Sequence, residues 1–204
     1  MTRRIEIVGD VSHLPDYAFG PAALGWWGGL GFMLIEGMAF VLAIGTYLYL
    51  IPFEQHWPPN GLPPDLRYGT AFTVLMIASL LPNNWLIRRA QHKDARAVRR
   101  GLLVMIAIGA VLLVLRGLEF TTLNERWDAN AYGSILWAIM FIHTVHLATD
   151  FYDTCPLAVL VFVRRPDGRK FSDVEDNAAY WNFVAVSWLV LYVLVYWLPR
   201  MMHA

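Results

Sequence analysis

The sequence contains a single cysteine, Cys155. One cysteine excludes an internal disulfide, a copper centre held by two cysteines, a thiolate-bound iron–sulfur cluster and a CxxCH haem attachment. We interpret Cys155 as a small apolar residue, which is how most free cysteines behave in folded proteins.

Charged residues are also scarce, at 16% of the 204 residues against 57% hydrophobic residues. Five stretches carry almost none of the charge: 22–50, 68–87, 101–120, 132–163 and 178–198. A helix needs about 20 mainly apolar residues to cross a hydrocarbon core of roughly 30 Å. Since a soluble domain does not need five such runs, the pattern predicts one all-α membrane domain over 1–204, a bundle of five transmembrane helices.

The basic residues are unevenly distributed around these stretches. Twelve of the 16 fall in the amino-terminal tail, the loop after the second helix or the loop after the fourth helix. Because lysine and arginine concentrate in cytoplasmic loops, we expect the amino terminus in the cytoplasm and the carboxyl terminus outside. Basic loops that are explained by topology give no reason to expect a nucleic-acid partner.

Histidines are few within the predicted helices, where only His143 and His146 occur. The other four histidines fall in predicted tails and loops. A haem with two histidine ligands usually takes them from two helices, one on each face of the porphyrin. We therefore expect no haem held within this chain.

The predicted fourth helix carries a polar stripe in the segment FIHTVHLATDFYD. At about 100° per residue, the side chains of His143, His146, Asp150 and Asp153 fall within roughly 80° of arc. Such a stripe should face protein and not lipid. Three interpretations stay open: a hydrogen-bonded network between helices, a path for protons that also includes Glu36, or a metal site formed by the two histidines and Glu36.

Glu36 lies near the middle of the first predicted helix, with no basic residue in the same span. A charged carboxylate at that depth costs roughly 2.5–3.5 kcal/mol on insertion scales. We expect Glu36 to be protonated or paired, with His143 or His146 as its partner, and to serve either in proton transfer or as a structural acid. Arg116 and Glu119 are three residues apart on one helix face and are expected to form a structural ion pair.

Four motifs in this order resemble subunit III of the haem-copper oxidases of the cytochrome c oxidase type. They are WWGGLGFMLIEGMAF, LRGLEF, NAYGSILWAIMFIHTVH and YWNFVAVSWLVLYVLVYW. The family's long form has two further amino-terminal helices, so the chain resembles a divergent five-helix form. Asn182 and Ala185 stand where the family usually has histidine and aspartate.

The resemblance implies a multi-pass subunit of an inner-membrane complex that has no redox centres of its own. Haem and copper are expected in partner subunit I, with subunit II and membrane lipids, including bound phospholipid, as further partners. The complex would oxidise cytochrome c, reduce oxygen and translocate protons, and this chain would be non-catalytic. Glu36 would correspond to the family's intramembrane glutamate. Alternatives are an accessory subunit of a quinol oxidase or nitric oxide reductase, or a small stand-alone proton-coupled transporter.

Overall fold

The computed structural model describes residues 17–59, 62–163 and 166–203. Within them, five helices are long and apolar enough to cross a membrane. The helices are α1 Leu24–Leu50, α2 Leu66–Gln91, α3 Ala95–Phe120, α4 Ala131–Val163 and α5 Gly168–Tyr192. A π-helical turn, Val193–Trp197, joins α5 to the short α6, Leu198–His203. The predicted all-α, five-helix membrane fold is confirmed.

Two helices begin well before the predicted residue, α3 at Ala95 instead of 101 and α5 at Gly168 instead of 178. The prediction began each helix where the charged residues end, but a helix continues into water when its first turn is capped. Asp94 and Asp167 accept hydrogen bonds from backbone N–H groups of these first turns, at 3.1 and 3.0 Å. Capping, and not hydropathy, therefore decides where these helices begin.

The central helix of the bundle is α5, which packs against α1, α2 and α4, while α3 packs against α2 and α4. The approach of α2 to the π-helical turn requires Gly69, because a Cβ atom there would lie 2.4 Å from the Tyr196 ring. At the periphery, α1 buries only Phe40, Ala43 and Tyr47. Most of the surface of α1 is therefore left to lipid or to another chain.

One end of the bundle, named the basic end below, brings together the α2–α3 turn, the start of α5 and the segment before α1. Gln91 Nε2 donates a hydrogen bond to Glu175 Oε1 at 2.7 Å, and the Gly20 N–H donates to the other oxygen at 3.2 Å. Eight of the twelve clustered basic residues are described. The other four, Arg3, Arg4, Arg164 and Arg165, lie outside the described residues.

The opposite end joins the loop before α2, the α3–α4 loop and α6. Arg200 Nη2 donates to the Pro64 carbonyl at 2.5 Å, and Asn124 Nδ2 donates to the Pro63 carbonyl at 2.9 Å. In the α3–α4 loop, two hydrogen bonds from Arg126 hold the pKa of the exposed Asp128 carboxyl below its usual range.

Candidate functional site

The polar residues of α4 have three different surroundings. His143, His146 and Asp150 are buried, whereas Asp153 is exposed. Asp153 lies where α1, α4 and α5 leave a groove between them, so the stripe is buried along only part of its length. The neighbours of each side chain decide what it can do chemically.

His143 belongs to a buried group that we name the Arg116 cluster: Arg116, Glu119, His143 and Tyr196. Arg116 Nη1 lies 2.6 Å from Glu119 Oε2, and the two side chains are 1% and 0% exposed. The Tyr196 hydroxyl donates a hydrogen bond of 2.5 Å to Glu119 Oε1. Both carboxylate oxygens thus accept from a donor, which is the arrangement that stabilises an ionised carboxylate.

Two aromatic rings enclose the Arg116 guanidinium. Its central carbon lies 3.9 Å from the centroid of the Phe72 ring and 4.0 Å from that of Trp188. Cation–π attraction and the ion pair with Glu119 together offset part of the cost of removing the charge from water. The sequence predicted an ion pair near a helix end, but not its enclosure by α2, α4 and α5.

The contacts of His143 determine which of its ring nitrogens carries hydrogen. Its Nδ1 lies 2.9 Å from Arg116 Nη2, and its Nε2 lies 3.1 Å from the Val184 carbonyl oxygen. Because a guanidinium only donates and a carbonyl only accepts, Nδ1 must be the unprotonated nitrogen and Nε2 must carry the proton. His143 is therefore neutral, and both of its nitrogens are engaged.

Glu36 lies across the bundle in a second group, the Glu36 cluster: Glu36, His146 and Tyr180. The Tyr180 hydroxyl donates to Glu36 Oε2 at 2.7 Å, and His146 Nε2 lies 3.5 Å from Glu36 Oε1. The side chains of His146 and Glu36 are 10% and 17% exposed, so this cluster opens toward the α1 surface. The Phe40 ring packs against His146 at 4.8 Å between centroids.

His146, the histidine of the Glu36 cluster, carries its ring hydrogen on a different nitrogen from His143. His146 Nδ1 lies 2.6 Å from the Ile142 carbonyl oxygen, so Nδ1 carries hydrogen. Its Nε2 is then the nitrogen that faces Glu36 Oε1. The Glu36 cluster therefore places an acid and an imidazole side by side near the α1 face.

Asp150 is buried beside α5. Its Oδ1 lies 3.4 Å from Asn177 Nδ2, and Oδ2 has no hydrogen-bond partner among the described residues. The Thr154 hydroxyl donates to the Asp150 carbonyl at 2.8 Å and lies 3.1 Å from Asn177 Oδ1. Asp150 thus contacts α5 and not the Glu36 cluster directly.

Asp153 faces a groove of about 390 Å³ between α1, α4 and α5. Asp173, Asp176, Asn177 and Tyr180 also line it, and Gly29, Phe32 and Met33 form its α1 wall. Tyr180 therefore contacts both the groove and Glu36. Polar groups extend from Glu36 toward the basic end along this surface.

The alternative in which His143, His146 and Glu36 hold a metal does not fit this arrangement. His143 has both nitrogens engaged in the Arg116 cluster, while His146 faces Glu36. Across residues 17–59, 62–163 and 166–203, no three histidine, cysteine or acidic side chains are grouped so that they could hold a metal ion.

Sequence reasoning missed the two tyrosines. Tyr180 and Tyr196 each donate their hydroxyl to a membrane carboxylate. Their positions in aromatic-rich runs made them resemble interface or packing residues. The sequence did contain a signal for these contacts. A buried tyrosine hydroxyl needs a hydrogen-bond partner, and the carboxylates of Glu36 and Glu119 needed hydrogen-bond donors inside the membrane.

Comparison with known proteins gives consistent results. A family model described as cytochrome c oxidase subunit III matches residues 28–200. The cytochrome c oxidase subunit 3 of Thermostichus vulcanus is 28% identical over 174 residues, covering 84% of this chain and 86% of that protein. The protein of the same name from Corynebacterium diphtheriae is 26% identical over 150 residues, covering 70% and 71%.

Mammalian relatives are longer. The cytochrome c oxidase subunit 3 of Tachyglossus aculeatus aculeatus is 29% identical over 145 residues, which covers 69% of this chain and 55% of that protein. The chain therefore spans about half the length of these relatives. Since the family model matches most of the chain, and the five helices agree with it, the protein belongs to the cytochrome c oxidase subunit III family.

Proposed function

We propose that the chain is a subunit III without redox centres in a bacterial-type haem-copper terminal oxidase of the inner membrane. It packs beside subunit I, which holds the haem and copper, and subunit II. The complex oxidises cytochrome c, reduces oxygen and translocates protons. The names of the relatives support cytochrome c as the electron donor. The concentration of basic residues supports placing the basic end in the cytoplasm.

The proposed non-catalytic, supporting role of this subunit rests mainly on the Glu36 cluster. It places an acid beside a histidine in the middle of a membrane helix, near the most exposed face of the bundle. Intramembrane acids of this kind commonly serve proton transfer or helix association. We assign Glu36, His146 and Tyr180 to holding one proton at this face, with Asp150 and Asp153 extending the polar surface toward the basic end and His143 holding the helices together.

Substitution of Glu36 tests this role. We expect Glu36→Ala to insert normally but to loosen association with the partner subunits, or to shorten the lifetime of the complex during turnover. The reason is that Tyr180 and His146 lose their shared partner. Complex yield and the decay of oxygen consumption measure the two effects. The matched control is Glu54→Gln, which changes an exposed loop carboxylate. A Glu36→Ala complex with normal yield and lifetime would contradict the role.

Purification from the native membrane in mild detergent tests the proposed complex itself. We expect the tagged chain to bring with it a large haem-copper subunit, identified by mass spectrometry. The reduced-minus-oxidised spectrum should show haem bands. A colourless protein isolated alone, from membranes that contain the oxidase, would favour a stand-alone transporter instead.

A further inference from the structure

The groove between α1, α4 and α5 is acidic, although it reaches the start of α5 at the basic end. Asp153, Asp173 and Asp176 line it, and none of the other described residues that line it is basic. We name it the acidic groove. On the α1 side, Phe32 and Met33 give it an apolar wall.

Two of the three carboxylates have no cationic partner in the described part of the chain. There, no side-chain nitrogen of a lysine, arginine or histidine lies within 4.0 Å of an oxygen of Asp153 or Asp176. Lys170 Nζ lies 4.0 Å from Asp173 Oδ2. Arg169 lines a neighbouring cavity with Asp173 and Asp176, but it forms no ion pair with either of them. The acidic groove therefore carries more negative charge than the described residues balance.

A buried acid lies directly behind this groove. Asp150 is 1% exposed. Its Oδ1 lies 3.4 Å from Nδ2 of the groove residue Asn177, and its Oδ2 has no hydrogen-bond partner among residues 17–59, 62–163 and 166–203. Asp150 and Asp153 are three residues apart and so lie on the same side of α4. Carboxyl groups of α4 and α5 thus favour a positive group that comes from outside the chain.

The chemistry of the groove favours a basic side chain as that positive group. A metal ion does not fit, because no three histidine, cysteine or acidic side chains of the described residues are grouped so that they could hold one. A guanidinium has five N–H donors and an ammonium has three, so either can engage carboxylates that are not grouped around one point. The aliphatic stem of such a side chain packs on an apolar wall like that of Phe32 and Met33 while its charged end reaches the carboxylates.

The α1 surface beside the groove is suited to a helix that carries this side chain. Phe32, at the groove, and Ile35, one turn further along, are 52% and 73% exposed. Gly28 lies on the same side of α1, and no other helix lies within 4 Å of the position that a Cβ atom would occupy there. Small residues of this kind let a second helix approach closely in a membrane. This side of α1 and the acidic groove form one surface, because Phe32 belongs to both.

We propose that the acidic groove receives an arginine or lysine side chain from a transmembrane helix of a partner subunit. The partner helix packs along Gly28, Phe32 and Ile35, and its cation pairs with the groove carboxylates. The interface rests on the proposed function, because it needs a partner subunit. It adds to that function the surface of contact and the chemistry by which the partner is recognised.

Removal of charge tests the pairing. The tagged chain is purified from its native membrane in mild detergent, and the co-purified haem-copper subunit is measured per chain by mass spectrometry. We expect Asp153→Asn/Asp176→Asn to retain roughly a tenth of the wild-type amount, because the partner's cation loses its carboxylates. Glu54→Gln/Asp128→Asn is the matched control. It removes two carboxylates at the opposite end and should retain the wild-type amount.

A steric variant tests the α1 surface without changing any charge. Gly28→Leu should fold, since its Cβ atom meets no other helix, but it should lower the amount of co-purified subunit. Gly117→Leu is the matched control on α3, because there too no other helix lies within 4 Å of the Cβ position. Melting temperatures of the isolated variants verify that each is folded.

A photoreactive residue identifies the partner. Benzoylphenylalanine is placed at position 28, and at position 117 as the control. After illumination of the membranes, we expect the position 28 product to contain a transmembrane peptide of another subunit. That peptide should carry an arginine or lysine within about two helical turns of the crosslink.

The possible results separate this interface from the proposed function. Full retention of the haem-copper subunit by Asp153→Asn/Asp176→Asn would overturn the pairing and leave the proposed function intact. Crosslinks from position 28 only to lipid, to a second copy of this chain or to a peptide without a nearby basic residue would overturn the choice of occupant. A wild-type chain isolated alone would contradict the proposed function, and this interface with it.

Discussion

The Arg116 cluster and the Glu36 cluster contain the same three residue types, a glutamate, a histidine and a tyrosine whose hydroxyl donates to the glutamate. They differ in one cation and in burial. Arg116 occupies the first cluster, which is fully enclosed, whereas the second has no arginine and is partly open toward α1. The comparison shows how a neighbouring cation and the degree of burial change the surroundings of a membrane glutamate.

The cation decides where protons can reside. Arg116 satisfies one oxygen of Glu119 and the Nδ1 of His143, so the acid is ionised and the histidine is held neutral. Among the described residues Glu36 meets no such cation; it lies beside His146 and accepts from the Tyr180 hydroxyl. The Arg116 cluster is therefore suited to holding helices together, whereas the proton role that we propose for the Glu36 cluster depends on an acid and a histidine side by side.

Removal of the cation should have the largest effect. Arg116→Met leaves the Glu119 carboxylate buried without its partner, and breaking a buried pair in this way costs about 3–5 kcal/mol. We expect a large fall in melting temperature and in yield from the membrane. The control is Arg67→Gln, since Arg67 is 87% exposed.

The paired variant Arg116→Met/Glu119→Gln should recover part of that loss, because no uncompensated charge remains. An Arg116→Met protein that melts at the wild-type temperature would mean that the cation does not distinguish the clusters.

The two tyrosines provide the next comparison. Tyr196→Phe removes a 2.5 Å donor from a fully buried carboxylate, which should cost about 1–3 kcal/mol. Tyr180→Phe should cost less, since the Glu36 side chain is 17% exposed and less of it is buried without a partner. Thermal unfolding of the two variants side by side measures the difference, and an equal loss of stability would contradict the ranking.

Carbodiimide labelling distinguishes the clusters chemically, because the reagent reacts with protonated carboxyl groups in apolar surroundings. We expect labelling at Glu36 and none at Glu119, with the sites found by peptide mass spectrometry. Arg116→Met should make Glu119 reactive if that protein still folds. Labelling confined to loop carboxylates would count against a protonated acid at Glu36.

The smallest effect is expected at an exposed pair with the same chemistry as Arg116 and Glu119. Arg126 and Asp128 form two hydrogen bonds in the α3–α4 loop, but their side chains are 79% and 39% exposed. Because water screens such pairs, Asp128→Asn should leave the melting temperature unchanged. A loss as large as that of Tyr196→Phe would show that this loop pair contributes to holding the opposite end together.

The number and type of the helices could be predicted because each apolar run had to satisfy its backbone hydrogen bonds internally in order to cross a membrane. The starts of α3 and α5 could not, since caps such as Asp94 and Asp167 extend a helix beyond the hydrocarbon. The family resemblance also followed from sequence, because the motifs occur in the family's order, and the family model confirms it.

The polar residues of the site were found from sequence, but not the way they are grouped. Periodicity placed His143 and His146 on one face of α4, and a difference of roughly 60° within that face directs one toward Arg116 and the other toward Glu36. Helical geometry alone cannot predict which residues of the other helices pack against such a face.

The sequence by itself determined that this protein lies in a membrane as five helices. It also determined that a few acids and histidines lie at depths where a charged side chain costs free energy. Only the tertiary structure decided that two acids which look alike in the sequence have different partners. Glu119 is paired with a fully buried arginine, whereas Glu36 lies beside a histidine at a partly exposed face. The physical reason is that the charge of a buried group depends on the donors and cations within a few ångströms, and those come from helices distant in the chain.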